Sequence, residues 1–225
     1  MRSIAEERPP QDITGRARIR DAALEQFALH GFEGATIRGI AEAAGVSPGL
    51  VQHHFRSKEG LRRACDEAVL DLVRRKLAGT RDGKISNPTF IAALYSSAPV
   101  LIRYVARAVA DGSTAGAELF DEMAAATEEF LNGTWPDRFP PGSTRVRDAA
   151  TALVAQTAGM IVLHEQVARR MGLIAWDQIA TPQITLAQLD VYEALGEYVT
   201  SGLGEGIRAA VEALRDGEGS KGRDR

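Results

Sequence analysis

The side chains whose types and spacing suggest a specific chemistry lie between Arg38 and Lys58. That chemistry is hydrogen bonding to an anionic partner rather than catalysis. The Gln52 amide can form two hydrogen bonds with the N6 and N7 edge of adenine, and the Arg38 guanidinium can contact guanine or a phosphate. Lys58 and the arginines at 16, 18 and 20 suit phosphate contacts. Taken singly, each charge also fits an ordinary solvated surface group.

Three patterns that begin like catalytic or cofactor motifs are incomplete. His164 and Glu165 start a zinc-binding HExxH motif, but Ala168 occupies the position of the second ligand. The three glycines of segment 202–206 follow no strand, so they do not predict a dinucleotide-binding loop. The single cysteine, Cys65, fits an apolar core position. We therefore expect no enzyme active site, no metal and no cofactor.

Helices must position these groups, because helical spacing of apolar residues occurs throughout the chain and strand-like alternation does not. The sequence predicts an all-α fold. The first four predicted helices run from near 14 to 31, from 36 to 45, from 47 to about 55, and from 57 towards 76. A short turn containing glycine separates the second and third, which is the spacing of a helix-turn-helix. Any small three-helix bundle is the alternative interpretation of that spacing.

The third predicted helix has one apolar side, formed by Val51 and Phe55, and an opposite side without acidic groups. Glycine inside a helix costs about 1 kcal/mol relative to alanine. We interpret the glycine of this helix as clearance for a sugar-phosphate backbone, although a glycine in the first turn also costs little. The residues of the opposite side are small or able to hydrogen-bond: Ser47, Pro48, Gly49, Gln52 and His53.

The run ATIRGIAEAAGVSPGLVQHHFRSKEGL at residues 35–61 resembles the tetracycline-repressor (TetR) family of bacterial transcriptional regulators. The likeness extends from Thr14 to about Leu72 and rests on a Thr-capped helix, Ile-Ala, Ala-Gly-Val-Ser and Lys-Glu at fixed spacings. It implies a helix-turn-helix that docks on double-stranded DNA. By this resemblance, the positions that commonly touch bases or backbone are Thr36, Arg38, Ser47, Pro48, Gly49, Gln52, His53, His54 and Lys58.

Two residues depart from the family pattern. Gln52 stands where a tyrosine is usual, which removes a phosphate contact and supplies an amide that can read a base edge. Val51 replaces the more common leucine of the buried side. The docking geometry should survive both changes. His53 and His54 can make DNA affinity pH-sensitive, with packed or solvent-exposed histidines as the alternative.

The segment 144–171 is apolar on more than one side, which predicts a helix covered from two directions. One cover can be its own domain, and we expect a second subunit to supply the other. In the resembling family the last two long helices form a four-helix dimer interface; a pairing within one chain is the alternative. The residues predicted to lie in the dimer interface are Leu153, Met160, Val167, Leu189, Tyr192, Gly196 and Val199.

Segment 90–139 is rich in aromatic residues and also contains arginines. Aromatic walls with a few polar groups are typical of small-molecule pockets, and aromatic residues at helical spacing also form ordinary cores. We predict an effector cavity here. Its candidate ligand-binding residues are Arg103, Tyr104, Phe130, Thr157 and His164.

The composition of the 225 residues, 44% hydrophobic and 25% charged, is that of an ordinary soluble chain. The absence of an 18-residue apolar run and of an apolar leader predicts a cytoplasmic protein without membrane contact. Net charge is −3 but uneven: residues 1–80 hold 13 Lys/Arg against 11 Asp/Glu, and 81–225 hold 14 against 19. The positive front end is compatible with an anionic partner.

The expected organisation is a disordered arm at 1–12, a helix-turn-helix domain at 13–60, a helical effector-binding and dimerisation domain at 61–215, and a disordered tail at 216–225. We expect a homodimeric, sequence-specific transcriptional regulator that acts as a repressor. An unidentified small-molecule effector would release it from a palindromic DNA operator. The alternative is a helical ligand carrier or protein-interaction module that binds no DNA.

Overall fold

The computed structural model describes residues 10–96, 98–173 and 182–221, and within these ranges every regular element is helical. The predicted all-α fold is confirmed. A short 3-10 turn lies at Lys84–Ser86. The α-helices of the described ranges are α1 (Pro10–Gly34), α2 (Ile37–Ala43), α3 (Pro48–Phe55), α4 (Lys58–Arg81), α5 (Pro88–Ser96), α6 (Ala98–Ala110), α7 (Thr114–Thr134), α8 (Thr144–Val162), α9 (His164–Met171), α10 (Pro182–Val199) and α11 (Gly202–Lys221).

Capping side chains fix where α2, α3 and α4 begin. A helix leaves its first N–H groups without intrahelical partners, and a Ser or Thr oxygen at the N-cap accepts from one of them. The Thr36, Ser47 and Ser57 hydroxyl oxygens do so at N–O distances of 3.0, 3.2 and 3.0 Å. The predicted starts of these helices are thus confirmed.

Glycines interrupt the first helix and follow the end of the second. Gly31 has a φ of 68° and interrupts α1 at the predicted end of that helix. Gly45 has a φ of 64°, and the N–H groups of Gly45 and Val46 donate to the carbonyls of Glu42 and Ala41 at 3.1 and 2.9 Å. These two hydrogen bonds close the last turn of α2. The turn needs a positive φ at residue 45, which favours glycine. The turn directs the chain into α3.

A continuous hydrophobic core joins α1–α4 to α6, α7 and α8. Ile19, Val51 and Leu61 are fully buried in it, and it continues to Tyr104 and Val154. The domain boundary predicted at 60–61 falls inside α4, which packs against α1, α3, α6 and α7. The described residues up to 173 form one compact unit, and those from 182 onward form a second.

The single helix expected over 144–171 is instead two helices. α8 ends at Val162, and α9 begins at His164 after a bend of 70°. The His164 ring Nδ1 lies 3.0 Å from the Ile161 carbonyl oxygen, so a side chain takes up an acceptor that a continuous helix would use. The predicted interface residues Leu153 and Met160 therefore lie on α8, while Val167 lies on α9.

The second unit contains α10 and α11, separated at Thr200 and Ser201. Both residues hydrogen-bond to nearby backbone carbonyls, which competes with continuation of the helix. A Cβ at Gly204 would lie 2.6 Å from the Val199 Cα, so only glycine permits this approach of α11 to the end of α10. The predicted interface residues Leu189, Tyr192, Gly196 and Val199 all lie on α10.

The predicted ends of the chain differ slightly from the observed helices. α1 begins at Pro10, four residues before Thr14, and α11 extends to Lys221, beyond the predicted start of a tail at 216. Proline suits a first helical position, and lengthening an existing helix costs little compared with starting one. The other residues of the predicted arm (1–9) and tail (222–225) lie outside the described ranges.

Among the described residues, no single helix has both the length and the apolar composition needed to span a membrane. Two bent helix pairs, 88–94 with 99–110 and 144–162 with 164–171, reach those values only when each pair is combined.

Candidate nucleic-acid interface

The two sides of α3 differ as the sequence predicts. Val51 and Phe55 are 0% and 6% exposed in the core, while Gln52 and His53 are exposed. α3 contains no acidic residue in its first turn. Its outer side therefore presents an amide and an imidazole without a carboxylate that would repel a phosphate backbone.

The beginning of α3 is open and polar. Ser47 caps the helix, Pro48 occupies the first turn, and both are exposed. A Cβ placed on Gly49 would meet only the Ser47 Oγ, at 3.9 Å, within ordinary contact distance. Internal packing thus gives no reason for glycine at this position. This supports interpreting Gly49 as clearance for a partner outside the chain.

The turn after α3 is strained and carries a cation. The Ser57 N–H donates to the Phe55 carbonyl at 2.8 Å around Arg56, whose φ of 65° and ψ of −45° are unusual for a residue with a side chain. This is a γ-turn of the strained, positive-φ kind. It leaves the Arg56 side chain exposed beside the end of α3. Sequence analysis missed this residue, because only backbone angles reveal the turn.

A glycine holds this turn against α4. A Cβ on Gly60 would overlap the carbonyl oxygen of Phe55, so the end of α3 packs directly on the first turn of α4. Arg16 of α1 adds a contact from the other side, with its guanidinium carbon 5.1 Å from the centre of the Phe55 ring. These contacts set the orientation of α3 on the bundle.

The candidates on α2 lie beside the same surface. Arg38 is exposed in the first turn of α2, and the neighbouring N-cap Thr36 is also exposed. The Thr36 oxygen accepts from the Gly39 N–H, so its hydroxyl hydrogen is the part suited to a phosphate. Thr36 thus suits a backbone contact, and Arg38 suits a base edge or a phosphate, both from the region of the helix that precedes α3.

Lys58 has an additional role that the sequence did not predict. Its Nζ donates to the Glu33 carbonyl at 3.2 Å and lies 4.5 Å from the centre of the Phe32 ring. The cation therefore joins the start of α4 to the segment between α1 and α2. Lys58 differs in this from Arg38, whose charged group lies on the outer surface.

The two histidines of α3 have different surroundings. His53 is exposed, whereas His54 is partly buried, and a Cβ at Gly15 of α1 would lie 3.7 Å from the His54 Nε2. The ring centres of His53 and His54 are 5.5 Å apart. His54 therefore lies towards α1, and His53 is the better placed of the two for an external partner.

A cavity of about 610 Å³ lies next to these helices, between α1, α4, α6 and α7. Its inner wall includes Phe27 and Tyr104, which are 2% and 4% exposed. Gly31 lines the cavity at the break in α1, where a Cβ would lie 3.1 Å from the Arg107 Nε. The cavity thus borders the segment that leads into α2.

A polar network crosses the inner part of this cavity. The Tyr104 hydroxyl donates to Oδ1 of Asp66 at 2.5 Å, and the Arg62 Nη1 donates to Oδ2 at 3.0 Å. Burial raises the pKa of Asp66 above its usual value, while these two partners oppose the rise. Burial also raises the pKa of the Tyr104 hydroxyl, and the neighbouring carboxylate adds to that rise. The phenol therefore remains the donor at neutral pH.

Of the five residues predicted to bind a ligand, only Tyr104 lines this cavity. Phe130 packs instead with Leu131, Val146 and Phe139 in a separate small core, which is the alternative the sequence had left open for aromatic residues. Thr157 is exposed, and its hydroxyl donates to the Leu153 carbonyl of its own helix. Arg103 and His164 are partly buried outside the cavity wall.

The predicted interface residues of the second unit are exposed. Leu189, Tyr192 and Val199 are 56%, 49% and 48% exposed, and Gly196 is exposed as well. Further large apolar side chains on α10 and α11 are exposed, among them Leu195 and Leu203. Exposed apolar area of this extent is unusual on a monomer.

Within the described residues, no group of three or more His, Cys, Asp or Glu side chains is arranged to hold a metal ion. Cys65 is buried, and burial raises the pKa of its thiol, so it is a core residue rather than a nucleophile.

Comparison with known proteins supports the identity of the N-terminal helices. The family model described as bacterial regulatory proteins of the tetR family matches residues 19–65, which hold most of α1, all of α2 and α3, and the start of α4. The transcriptional regulatory protein RaaS of Mycobacterium tuberculosis is 46% identical over 125 residues, 54% of this chain and 57% of RaaS. Residues 19–65 are thus similar to the tetR family of bacterial regulatory proteins. The repressor AcnR of Corynebacterium efficiens is 47% identical over 49 residues, 22% of this chain and 26% of AcnR.

Solved structures share the fold of this chain. A structure describing the control of antibiotic production by bacterial hormones has a TM-score of 0.52 and 24% identity, and the match covers 80% of this chain and 97% of that one. GusR of Salmonella enterica has a TM-score of 0.50 and 22% identity, with coverages of 78% and 97%. The curated relatives are matched over little more than half of their length or less. The similarity to the tetR family model is therefore confined to residues 19–65, which include α2 and α3.

Proposed function

We propose that this chain is a transcriptional regulator that binds operator DNA through α3 as a homodimer and responds to a small molecule. The observation that carries the proposal is the exposed polar face of α3 from Ser47 to His53, on a helix whose other face is anchored by Val51 and Phe55. A helix that is buried on one side and polar and exposed on the other can enter a major groove. The relatives named above are transcriptional regulators, which agrees with it.

The exposed residues divide into two kinds of contact. Arg56, Ser47 and Thr36 suit phosphate oxygens, which supply affinity that falls with salt concentration. Gln52 and Arg38 suit base edges, which supply sequence preference. Gly49 allows the backbone of α3 to approach the DNA closely, since nothing inside the chain requires a glycine there.

A homodimer would present two α3 helices to a two-fold symmetric operator. Two recognition helices related by a two-fold axis contact half-sites about 34–36 Å apart or a multiple of that distance. The exposed apolar residues of α10 and α11 support contact with a second subunit. Burying two apolar surfaces against each other is favourable because it removes apolar area from water. Because the chain bends at Leu163, the predicted interface residues of segment 144–171 lie on two helices, α8 and α9, rather than on one.

A bound effector would act by favouring a dimer in which the two α3 helices no longer match the half-site spacing. Changing the occupied fraction from 1:99 to 99:1 needs about 5.5 kcal/mol of differential binding. The continuous core between α1–α4 and α6–α8 supports such coupling, because a change among the larger helices is transmitted to α1 and α4 by direct packing.

A gel-shift titration with the duplex upstream of the chain's own gene tests this function against the alternative of a helical carrier. The regulator should form a complex that survives excess unrelated DNA and weakens steeply with salt. Gln52→Ala should cost about 1–3 kcal/mol on the specific duplex and little on unrelated DNA. Arg147→Ala is a control, because Arg147 is exposed on α8, away from α2 and α3. A carrier would give no competitor-resistant complex.

A further inference from the structure

Residues of α1 and α4 line one side of the cavity between α1, α4, α6 and α7. These two helices precede and follow α2 and α3 in the chain. Its volume of about 610 Å³ lies in the range of sites for small organic molecules. A molecule bound here would touch α1 beside the Gly31 break and α4 near its beginning. The position differs from the one predicted from the aromatic and polar residues at 103, 104, 130, 157 and 164.

The inner wall of the cavity is aromatic. The rings of Phe27 and Phe32 lie with centres 5.6 Å apart, and those of Phe27 and Tyr104 lie 6.2 Å apart. Phe27 and Tyr104 are almost fully buried, so their rings are held in place and only a small part of each reaches the cavity. Such an aromatic wall suits a ring or a hydrocarbon group of a ligand.

The charged lining has more carboxylates than cations. Arg62 is paired with Asp66 at 3.0 Å, and Arg107 is paired with Asp111 at 3.0 Å. Three carboxylates at the cavity remain in excess of these two pairs: Glu33, Glu59 and Glu118.

The excess carboxylates lie on the outer part of the cavity. Glu118 is 64% exposed and lies 3.8 Å from the Arg62 Nη2, a longer separation than that between Arg62 and Asp66. Backbone and Ser57 hydrogen bonds lower the pKa of Glu59, so it is charged at neutral pH. An anionic ligand would have to separate an existing Arg–Asp pair and would be repelled by these carboxylates. A cation would be attracted by them and would leave both pairs intact, with repulsion from Arg62 as its opposing cost.

We propose that this cavity binds an amphipathic organic cation, with its apolar part against Phe27, Phe32 and Tyr104 and its positive group beside Glu118 and Glu59. The apolar part gains from leaving water, and the positive group gains from the carboxylates at the opening. The regulatory consequence rests on the function proposed above. A cation beside Glu118 repels Arg62, which donates to Asp66 within α4. Asp66 in turn accepts from Tyr104 of α6, so a shift of Arg62 affects the contact between α4 and α6.

Isothermal titration calorimetry of the full chain with tetraphenylphosphonium tests the site, and the anion tetraphenylborate of the same shape tests the charge preference. We expect binding of the cation and at least about tenfold weaker binding of the anion. Glu118→Gln should weaken cation binding about two- to fivefold, as for one exposed charge. Glu129→Gln, an exposed change on the same helix α7 outside the cavity, should leave it unchanged.

A second variant, Ala115→Phe, fills the cavity from α7 and should weaken cation binding by about tenfold or more. Its unfolding transition serves as a check that it folds. Cation binding that is equal in the native chain and in Ala115→Phe, or tetraphenylborate binding as tight as that of the cation, would overturn the proposal. So would the absence of cation binding to the native chain.

A DNA titration separates this proposal from the proposed function. Tetraphenylphosphonium should change the DNA affinity of the native chain and have at least about tenfold less potency on Ala115→Phe. Cation binding in a chain that binds no DNA would refute the DNA-binding function while supporting the cavity. Cation binding to a chain whose DNA affinity does not change would overturn the regulatory consequence.

Discussion

Tyr104 of α6 donates its hydroxyl hydrogen to Oδ1 of Asp66 in α4 across 2.5 Å. Both residues follow the domain boundary that the sequence predicts at 60–61, but α4 begins at Lys58, crosses that boundary and packs against α3. The helix that follows α3 is therefore joined to α6 by a polar contact as well as by a shared core. Any change that moves α6 acts on α4.

Tyr104→Phe should lower the free energy of unfolding by about 1–3 kcal/mol at neutral pH, because a largely buried carboxylate loses a hydrogen-bond donor. Urea unfolding measures this cost. Tyr198→Phe removes a hydroxyl from an exposed tyrosine and is the control, with an expected change within about 0.5 kcal/mol. Equal effects of the two variants would show that the bond to Asp66 contributes nothing.

The cost of Tyr104→Phe should depend on pH. Because burial raises the folded-state pKa of Asp66, the contribution of this group to stability falls as the pH rises from the unfolded value of about 3.9 through the folded value. The Tyr104 bond opposes that rise, so the variant should have a higher Asp66 pKa. Its destabilisation should be largest at pH 7 and smaller near pH 4. A destabilisation that is equal at both values would contradict this assignment.

Arg56→Gly and Arg56→Ala should separate backbone strain from charge. Only glycine accepts the φ of 65° without a steric cost, so the glycine variant should be about 1 kcal/mol more stable than the alanine variant in urea unfolding. Both variants remove the same charge, and both should reduce the salt slope of DNA binding by about one ion. An alanine variant as stable as the glycine variant would rule out the strained turn.

Gly49→Ala should weaken DNA binding while leaving the fold intact or slightly more stable. The added methyl group has room inside the free chain and gains up to about 1 kcal/mol of helix propensity. We expect about tenfold weaker binding to the specific duplex in fluorescence anisotropy. Gly133→Ala is matched, since it lies exposed on α7 with only a 3.9 Å neighbour. If Gly49→Ala bound DNA as tightly as Gly133→Ala, the clearance interpretation would fail.

Tyr192→Glu should convert the dimer to a monomer, because it places an unpaired charge in each half of the predicted interface. Sedimentation equilibrium measures the association constant. Glu193→Gln, an exposed neighbour, is the control. A dimer of unchanged strength in Tyr192→Glu would place the interface elsewhere, and a native chain that is strictly monomeric would remove the two-fold operator from the proposal.

The sequence predicted the helices that carry the interface because their determinants are local. Thr36, Ser47 and Ser57 each cap a helix through a residue three positions later, and Gly31 and Gly45 adopt the left-handed conformation that ends one. Such short-range chemistry can be recognised in a single sequence. The buried positions of Val51 and Phe55 followed from the same local periodicity.

The cavity could not be predicted in the same way, because its wall combines residues far apart in sequence. Phe27 and Tyr104 meet only once α1 packs on α6, and Phe130 belongs to a different cluster although it is equally aromatic. The break at Leu163 was also missed, since it depends on the His164 ring reaching the Ile161 carbonyl rather than on a glycine or proline. The turn at Arg56 could not be recognised from the sequence, because an arginine occupies the positive-φ position where a glycine would be expected.

Selection of duplexes from a random DNA pool by the full chain tests the central claim most directly. The chain should enrich a two-fold symmetric sequence whose half-sites are spaced by one helical turn or a multiple of it. Gln52→Ala should relax the preference at one position in each half-site. Recovery of unenriched sequence, or of a single half-site without symmetry, would contradict a dimer that reads DNA through α3.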